Sequence, residues 1–142
     1  VQGTLDGTPG TMRGYGVWTS PSFAAGNFTA NGAMTWTVGA GDVTTYQYAL
    51  IGKMLTVTFS LSATDVGGVA NTLLQIAIPA SFVAAKETFN VFLLDPGTGT
   101  VEVGRVDVQP AGTVVRLGRL NLAVWVVSAN VQVRGQITFE IQ

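Results

Sequence analysis

Residues 46–79 read YQYALIGKMLTVTFSLSATDVGGVANTLLQIAIP, and their order decides the fold class. A Tyr-x-Tyr strand runs into a Gly52-Lys53 turn. From Met54 to Ala63 the chain alternates without error: Leu55, Val57, Phe59 and Leu61 point one way, while Thr56, Thr58, Ser60 and Ser62 point the other. Period-two alternation of this kind marks a strand with one buried face. A Gly67-Gly68 loop follows, and then Leu73–Ile78, apolar on both faces, which predicts a central strand covered on both sides. This is an antiparallel β-module, and nothing in its pattern points to catalysis.

Working outward, strand signals recur at short intervals between Gly, Pro, Asn and Asp. Tyr15–Thr19 is a short strand. Ala33–Val38 puts Met34, Trp36 and Val38 on one face. Val43–Leu50 does the same for Tyr46, Tyr48 and Leu50, with rings inward and hydroxyls at a rim. Thr88–Leu94 leads into an Asp95-Pro96-Gly97 turn. In Thr100–Gln109 the Val101/Val103 parity gives way to Val106/Val108, which predicts a bulge at Gly104-Arg105. Thr113–Leu120 and Leu122–Ser128 read as strands. The last strand, Val131–Ile141, turns Val131, Val133, Ile137, Phe139 and Ile141 inward. No helical stripe survives three turns; residues 80–87 hold one short turn at most. Eight to ten short strands predict an all-β, antiparallel β-sandwich, jelly-roll-like. Residues 1–13, rich in Gly and Thr, read as an arm or linker to a preceding shaft, and residues 14–142 as one sandwich domain. The chain begins at Val1, and the expectation is a fragment of something longer.

Composition narrows function. Charged residues are 11% of the chain, against about 25% in a typical domain. Surface positions use Thr, Ser, Asn and Gln instead, as subunit interfaces do, so a homo-oligomer is expected. Net charge is −1 and the cations are scattered, which leaves no basic face for nucleic acid and no basic amphipathic stretch for membranes. Apolar runs are far shorter than the ~20 residues a spanning helix needs. There is no cysteine and no histidine. That removes thiol chemistry, disulfides and the commonest general base and transition-metal ligand. No metal site or cofactor is expected. A serine nucleophile would have only Lys53, Lys86 or a carboxylate as base, and no GxSxG motif exists. The carboxylates sit in turns or, for Glu102, Asp107 and Glu140, at outward strand positions. Gly97-Thr98-Gly99-Thr100 precedes a strand, so it reads as a hairpin turn and not as a phosphate loop. Trp36 and Trp125 have the parity of core residues, with a subunit interface also open for Trp125. Trp18 is the freest of the three tryptophans. Asn27-Phe28-Thr29 matches a glycosylation triplet, a pattern that arises often by chance.

Taken together, these stretches resemble the C-terminal head domains of phage tail fibres and related tail receptor-binding proteins. Trp18-Thr19-Ser20-Pro21 matches their early strand. Tyr48–Lys53 followed by Met54–Leu61 matches a Tyr-x-x-Gly turn and alternating strand, although Tyr48-Ala49-Leu50-Ile51-Gly52 departs from the usual Tyr-Thr-Lys-Ile-Gly. Gly67-Gly68, Leu74–Pro79, Gly112–Leu117, Trp125 and Val131–Phe139 complete the likeness, which spans most of residues 17–142. The resemblance implies a non-enzymatic homotrimer at a fibre tip on the virion, engaging a bacterial surface glycan or protein, with the rest of the fibre as its other partner. It transfers no catalytic or binding residue. Candidate contact loops are Gly39–Asp42, Thr64–Asn71 and Asp95–Thr100, and the candidate ligand-binding residues are Trp18, Asp42, Asp65, Asn71, Asp95 and Thr98. The rivals are a structural virion protein (capsid decoration or baseplate subunit) and a carbohydrate-binding module of a larger depolymerase.

Overall fold

A computed structural model of the chain describes residues 17–142. The strands are β1 (Phe28–Ala30), β2 (Met34–Thr37), β3 (Val43–Ile51), β4 (Met54–Gly68), β5 (Leu74–Ala77), β6 (Thr88–Asp95), β7 (Glu102–Val108), β8 (Val114–Arg119) and β9 (Ser128–Glu140). Every pairing is antiparallel. The hydrogen-bonded order is β1-β5-β8-β7-β6-β9-β4-β2, with β3 also on β4. β2 and β3 follow one another along the same edge of β4, on Asp65–Gly68 and Met54–Leu61 respectively. The sheet curls until its ends nearly meet. Phe28 of β1 packs edge-to-face on Trp36 of β2 and Tyr46 of β3, with ring centroids 5.7 Å and 5.6 Å apart. The all-β antiparallel sandwich expected from the sequence is what the chain forms. The arm over residues 1–13, and the start of the strand read at Tyr15, lie outside the described residues.

Curling follows from the alternation. Leu55, Val57, Phe59 and Leu61 are buried, as are Leu74, Ile76, Val106, Val108, Val115, Leu117, Val131, Val133, Ile137 and Phe139 from the strands around them. Each large side chain that leaves water contributes about 1.5–3 kcal/mol. A flat sheet could not bury so many from one face. Gly135 holds the inward position that alternation in β9 leaves open. A Cβ there would lie 2.5 Å from Phe92 Cβ, so this glycine lets β6 cross closely over β9.

Four sequence expectations change. No bulge occurs at Gly104-Arg105, because β6 and β7 pair without interruption from Thr88↔Val108 to Leu94↔Glu102. Gly104, Val106 and Val108 are the inward set, and Val101 and Val103 face out, exposed. The irregularities fall on β4 and β9 instead. One extra residue in β4 between Leu61 and Thr64, with Ala63 at φ 58, is matched by one in β9 near Asn130, at φ 63. The β4 bulge moves the buried set from odd to even positions, so Thr64 and Val66 point inward. The loop expected at Thr64–Asn71 is therefore strand as far as Gly68, and only residues 69–73 connect β4 to β5. Leu122–Ser128 is not a strand: up to Val127 it is an irregular connection without ladder partners, entered through Leu122 at φ 62. Of Tyr15–Thr19, the described part contributes one bridge, Thr19↔Tyr48.

Candidate functional site

β9 runs against both β4 and β6, so the ends of β4 and β6 meet the start of β9 at one end of the sheet. The same pairing logic brings the end of β1, the starts of β5 and β7 and the end of β8 there. Connections 31–33, 69–73, 96–101 and 120–127 thus gather at one end, and 52–53, 78–87 and 109–113 at the other. Val17–Thr19 lies toward that other end, where Thr19 bridges Tyr48.

The gathered loops are tied down by hydrogen bonds. Asn31 Nδ2 donates to Asn71 Oδ1 at 3.1 Å, and Asn31 Oδ1 accepts from the Leu73 N–H at 3.0 Å. The Trp125 N–H donates to the Asn71 carbonyl at 2.8 Å, and Trp125 Nε1 to the Leu117 carbonyl at 3.3 Å. Trp125 is fully buried, which settles its place as core. It pins an otherwise ladder-free connection to the sheet, and Arg119 adds a second tie. Its guanidinium donates to both Glu102 oxygens, at 2.9–3.1 Å, and to the Val124 carbonyl at 3.2 Å. Ser128 Oγ donates to the Pro96 carbonyl, which docks the β6–β7 turn on the start of β9.

The predicted residues separate under this geometry. Asp95, Asn71 and Thr98 lie at the gathered end, with Asp65 on β4 three residues short of it; Asp42 and Trp18 lie elsewhere. Asp95 is 8% exposed, and its Oδ1 accepts from the N–H groups of Gly97, Thr98 and Gly99 at 2.9, 3.0 and 3.1 Å. That carboxylate shapes the turn and has little surface to offer a ligand. Asn71 is likewise occupied, since Oδ1 also accepts from the Thr72 N–H at 2.8 Å. Thr98 is exposed at the tip of the turn, and Asp65 is exposed on β4 opposite Thr37. Asp42 accepts from the Gly39 N–H at 2.7 Å and closes a short turn on the flank of β4. Trp18 is 47% exposed, beside β3 and away from the loops.

The sequence pattern does not reveal the apolar part of this end. Val69, Leu122, Val124 and Val127 are exposed around the buried Trp125. A signal for it does exist: Leu122–Val127 carries more apolar side chains than one face of a strand can bury. Two partnered acids also escape the pattern. Asp107 is 5% exposed and pairs with Arg116 Nε, and Glu102 pairs with Arg119, although both read in sequence as plain outward positions.

Chemically, the loop end offers shape, apolar side chains, a hydroxyl and backbone groups. Its carboxylates other than Asp65 already serve as hydrogen-bond acceptors. Among the described residues no group of three metal-ligating side chains occurs, and no helix is long and apolar enough to cross a membrane. The perturbed titrations lie elsewhere. Burial pushes the Tyr46 phenol up to about 12, and its hydroxyl donates to the Ala77 carbonyl at 2.7 Å, inside the sheet. The Lys86 ammonium bonded to Glu140 holds that carboxyl below its ordinary value at the opposite end.

No family model and no curated protein matches the chain. Among solved structures, it is similar to the head domain of phage bIL170, whose crystal structure was presented as bearing on a common fold for the receptor-binding domains of lactococcal phages. The match covers 89% of this chain and 98% of that one, at 12% sequence identity and a TM-score of 0.50. This chain has the fold of a phage receptor-binding head. At that identity the likeness is one of backbone path, and residue roles do not carry across. It agrees with the class suggested by the strand, turn and loop signatures of the sequence.

Proposed function

We propose that the chain is the non-enzymatic head of a phage tail fibre, carried on the outside of the virion. It forms a homotrimer and recognises a glycan or protein on the bacterial surface through the loops gathered at one end. The observation that carries this reading is the shared fold with the bIL170 head over nearly the whole of both chains. The tethered loops support it: a contact surface held by Trp125, Arg119, Asn31 and Asp95 loses little freedom on binding, which favours affinity. Trimerisation would multiply weak contacts by avidity.

The test is labelling of bacterial strains by the fluorescent chain, with binding to their purified surface polysaccharides and outer proteins measured in parallel. The reading expects labelling of some strains and not others, saturable and competed by unlabelled chain, with no reducing ends released from polysaccharide. Released reducing ends would favour a depolymerase module. A second reading, a structural virion subunit, is favoured by the exposed apolar face over β6 and β7. It expects binding to virion components and no labelling of any cell.

A further inference from the structure

The outer face of the sheet divides in two. Over β3, β4 and β9 it is polar, with Thr56, Thr58, Ser60, Gln136 and Thr138 facing out, and Thr56 and Thr138 hydroxyls bonded across the strands at 2.7 Å. Over β6 and the start of β7 the same face is apolar, and it gives way to Arg105 and Asp107 further along β7. Phe89, Val91 and Leu93 alternate outward on β6, and Leu93 stands directly opposite Val103. Phe89 is 80% exposed and Val101 66%. Leu120 and Leu122 continue the patch and, with Phe89 and Val91, line an open groove of about 440 Å³ that Arg105, Asp107 and Glu87 also line. The contrast within one sheet matters, because single exposed apolar residues need no explanation but contiguous ones do.

We infer that this β6–β7 face is where copies of the chain pack on one another, turned toward the axis of the homotrimer; the inference rests on the trimeric reading proposed above. Area supports a stable contact between copies. The apolar side chains from Phe89 to Leu122 expose on the order of 700 Å², close to the ~800 Å² per partner that a stable protein interface buries. It exceeds the few hundred Å² usual for a patch on a monomer. Charge supports it too. Arg105 stands at the centre of the face, opposite Val91 on one side and Gly118 on the other. Its Nε is buried and donates to nothing among the described residues, whereas Arg116 and Arg119 on the neighbouring strand are paired. Nε is sealed within the chain, so a second copy closing over the groove meets the outer end of the Arg105 guanidinium, where an acceptor can pair with the cation. Residues 1–16 are a poorer cover, since VQGTLDGTPGTMRGYG has too few large apolar side chains to match this patch.

The experiment measures solution mass by light scattering for the whole chain and for the variant Leu93→Glu/Val103→Glu, with Thr56→Glu on the polar half as control. Wild type and the control are expected at three chain masses, and the face variant threefold lower with its circular dichroism unchanged. The natural chain has no cysteine, so Leu93→Cys supplies a second measurement that needs no disruptive charge. Mild oxidation should link chains through that thiol and should not link Thr56→Cys. A face variant that stays at three chain masses, with no crosslink at position 93, overturns the assignment of this face and leaves the trimer standing. A wild type of one chain mass overturns both the assignment and the trimer, whatever the labelling experiment gives. A wild type of one chain mass, together with a Leu93→Cys thiol that resists alkylation, would give the face to residues 1–16, which also overturns the inference.

Discussion

Replacing Thr64 by Val tests the part of the fold that the sequence hid. Thr64 follows the bulge at Ala63 and is fully buried. Its Oγ1 accepts the Trp36 indole N–H at 2.9 Å and donates to the Val131 carbonyl at 2.9 Å. One hydroxyl thus ties β2 to β9 across β4. Thr64→Val keeps the volume and removes both bonds. Losing two buried bonds costs about 1 kcal/mol each, and an indole N–H left without an acceptor adds roughly 1–3 kcal/mol, partly offset by the extra apolar surface. A net loss of about 2 kcal/mol is expected, or roughly 6–10 °C in Tm for a chain of this size. Thr64→Ser keeps the hydroxyl and should cost only about 1 kcal/mol for the missing methyl. Trp36→Phe in the Thr64→Val background removes the orphaned donor, so the double variant should be more stable than the sum of the singles by about 1 kcal/mol. Urea unfolding at one fixed protein concentration reads wild type, the three single variants and the double variant, because assembly would make stability depend on concentration. A Thr64→Val midpoint equal to wild type at unchanged slope would refute the claim that this hydroxyl carries the tie.

Gly135→Ala places a Cβ 2.5 Å from Phe92 Cβ and 3.2 Å from Phe59 Cζ, so overpacking should cost about 1–3 kcal/mol in the same urea assay. Asp95→Ala leaves three backbone donors without their acceptor; amide exchange at residues 97–99 should accelerate at least tenfold, and Asp95→Asn should restore much of the protection. Tyr46 has its folded pKa raised above 10.0 to about 12 by burial. Its contribution to stability is therefore complete below pH 10 and is lost as pH rises toward 12. Tyr46→Phe should flatten the fall in Tm across that window, and an unchanged slope would count against the assignment. Asp65→Ala and Thr98→Ala, both exposed at or near the loop end, should leave Tm within 2 °C; if the receptor docks there, cell labelling should weaken several-fold.

How much of this is legible in the sequence depends on where parity holds. Leu55 to Leu61 and Val131 to Ile141 alternate over long runs, and the structure buries those positions. The β4 bulge is not legible because it falls at Ser62-Ala63, where both parities are small or polar, and Asp65 with Gly67-Gly68 then looks like a loop. The opposite error arises in β7. Val101 and Val103 suggest an inward parity, yet they are apolar residues facing out. A rule that sends valine inward cannot distinguish a bulge from an exposed apolar face. At the loop end, Asp95 and Asn71 stand out for the wrong chemistry: Asp and Asn cluster in turns because they bond the local backbone, and here both do so.

The scarcity of charge can now be placed. The two partly buried pairs, Asp107–Arg116 and Glu102–Arg119, sit on β7 and β8, beside the apolar face or at the loop end. The polar half of the outer face relies on hydroxyls and amides, with Lys86–Glu140 at its far margin. A lone domain keeps dispersed charge to stay soluble. Among the described residues this chain instead pairs ions on β7, β8 and at the strand ends, and leaves the outer face of β6 to Phe89, Val91 and Leu93. That arrangement suits a surface meant to be covered. Coverage from β6–β7 leaves the loop end free, because the loops project along the strands while the apolar face looks across them. The surface proposed for self-association and the surface proposed for the receptor are therefore separate in direction. They remain close in the chain, since Val101, Leu120 and Leu122 border both. A charge placed at Leu120 should consequently disturb assembly and labelling together, whereas one at Thr98 should disturb labelling alone. If Leu120→Glu lowered labelling with the mass of the assembly intact, that border residue would belong to the receptor surface.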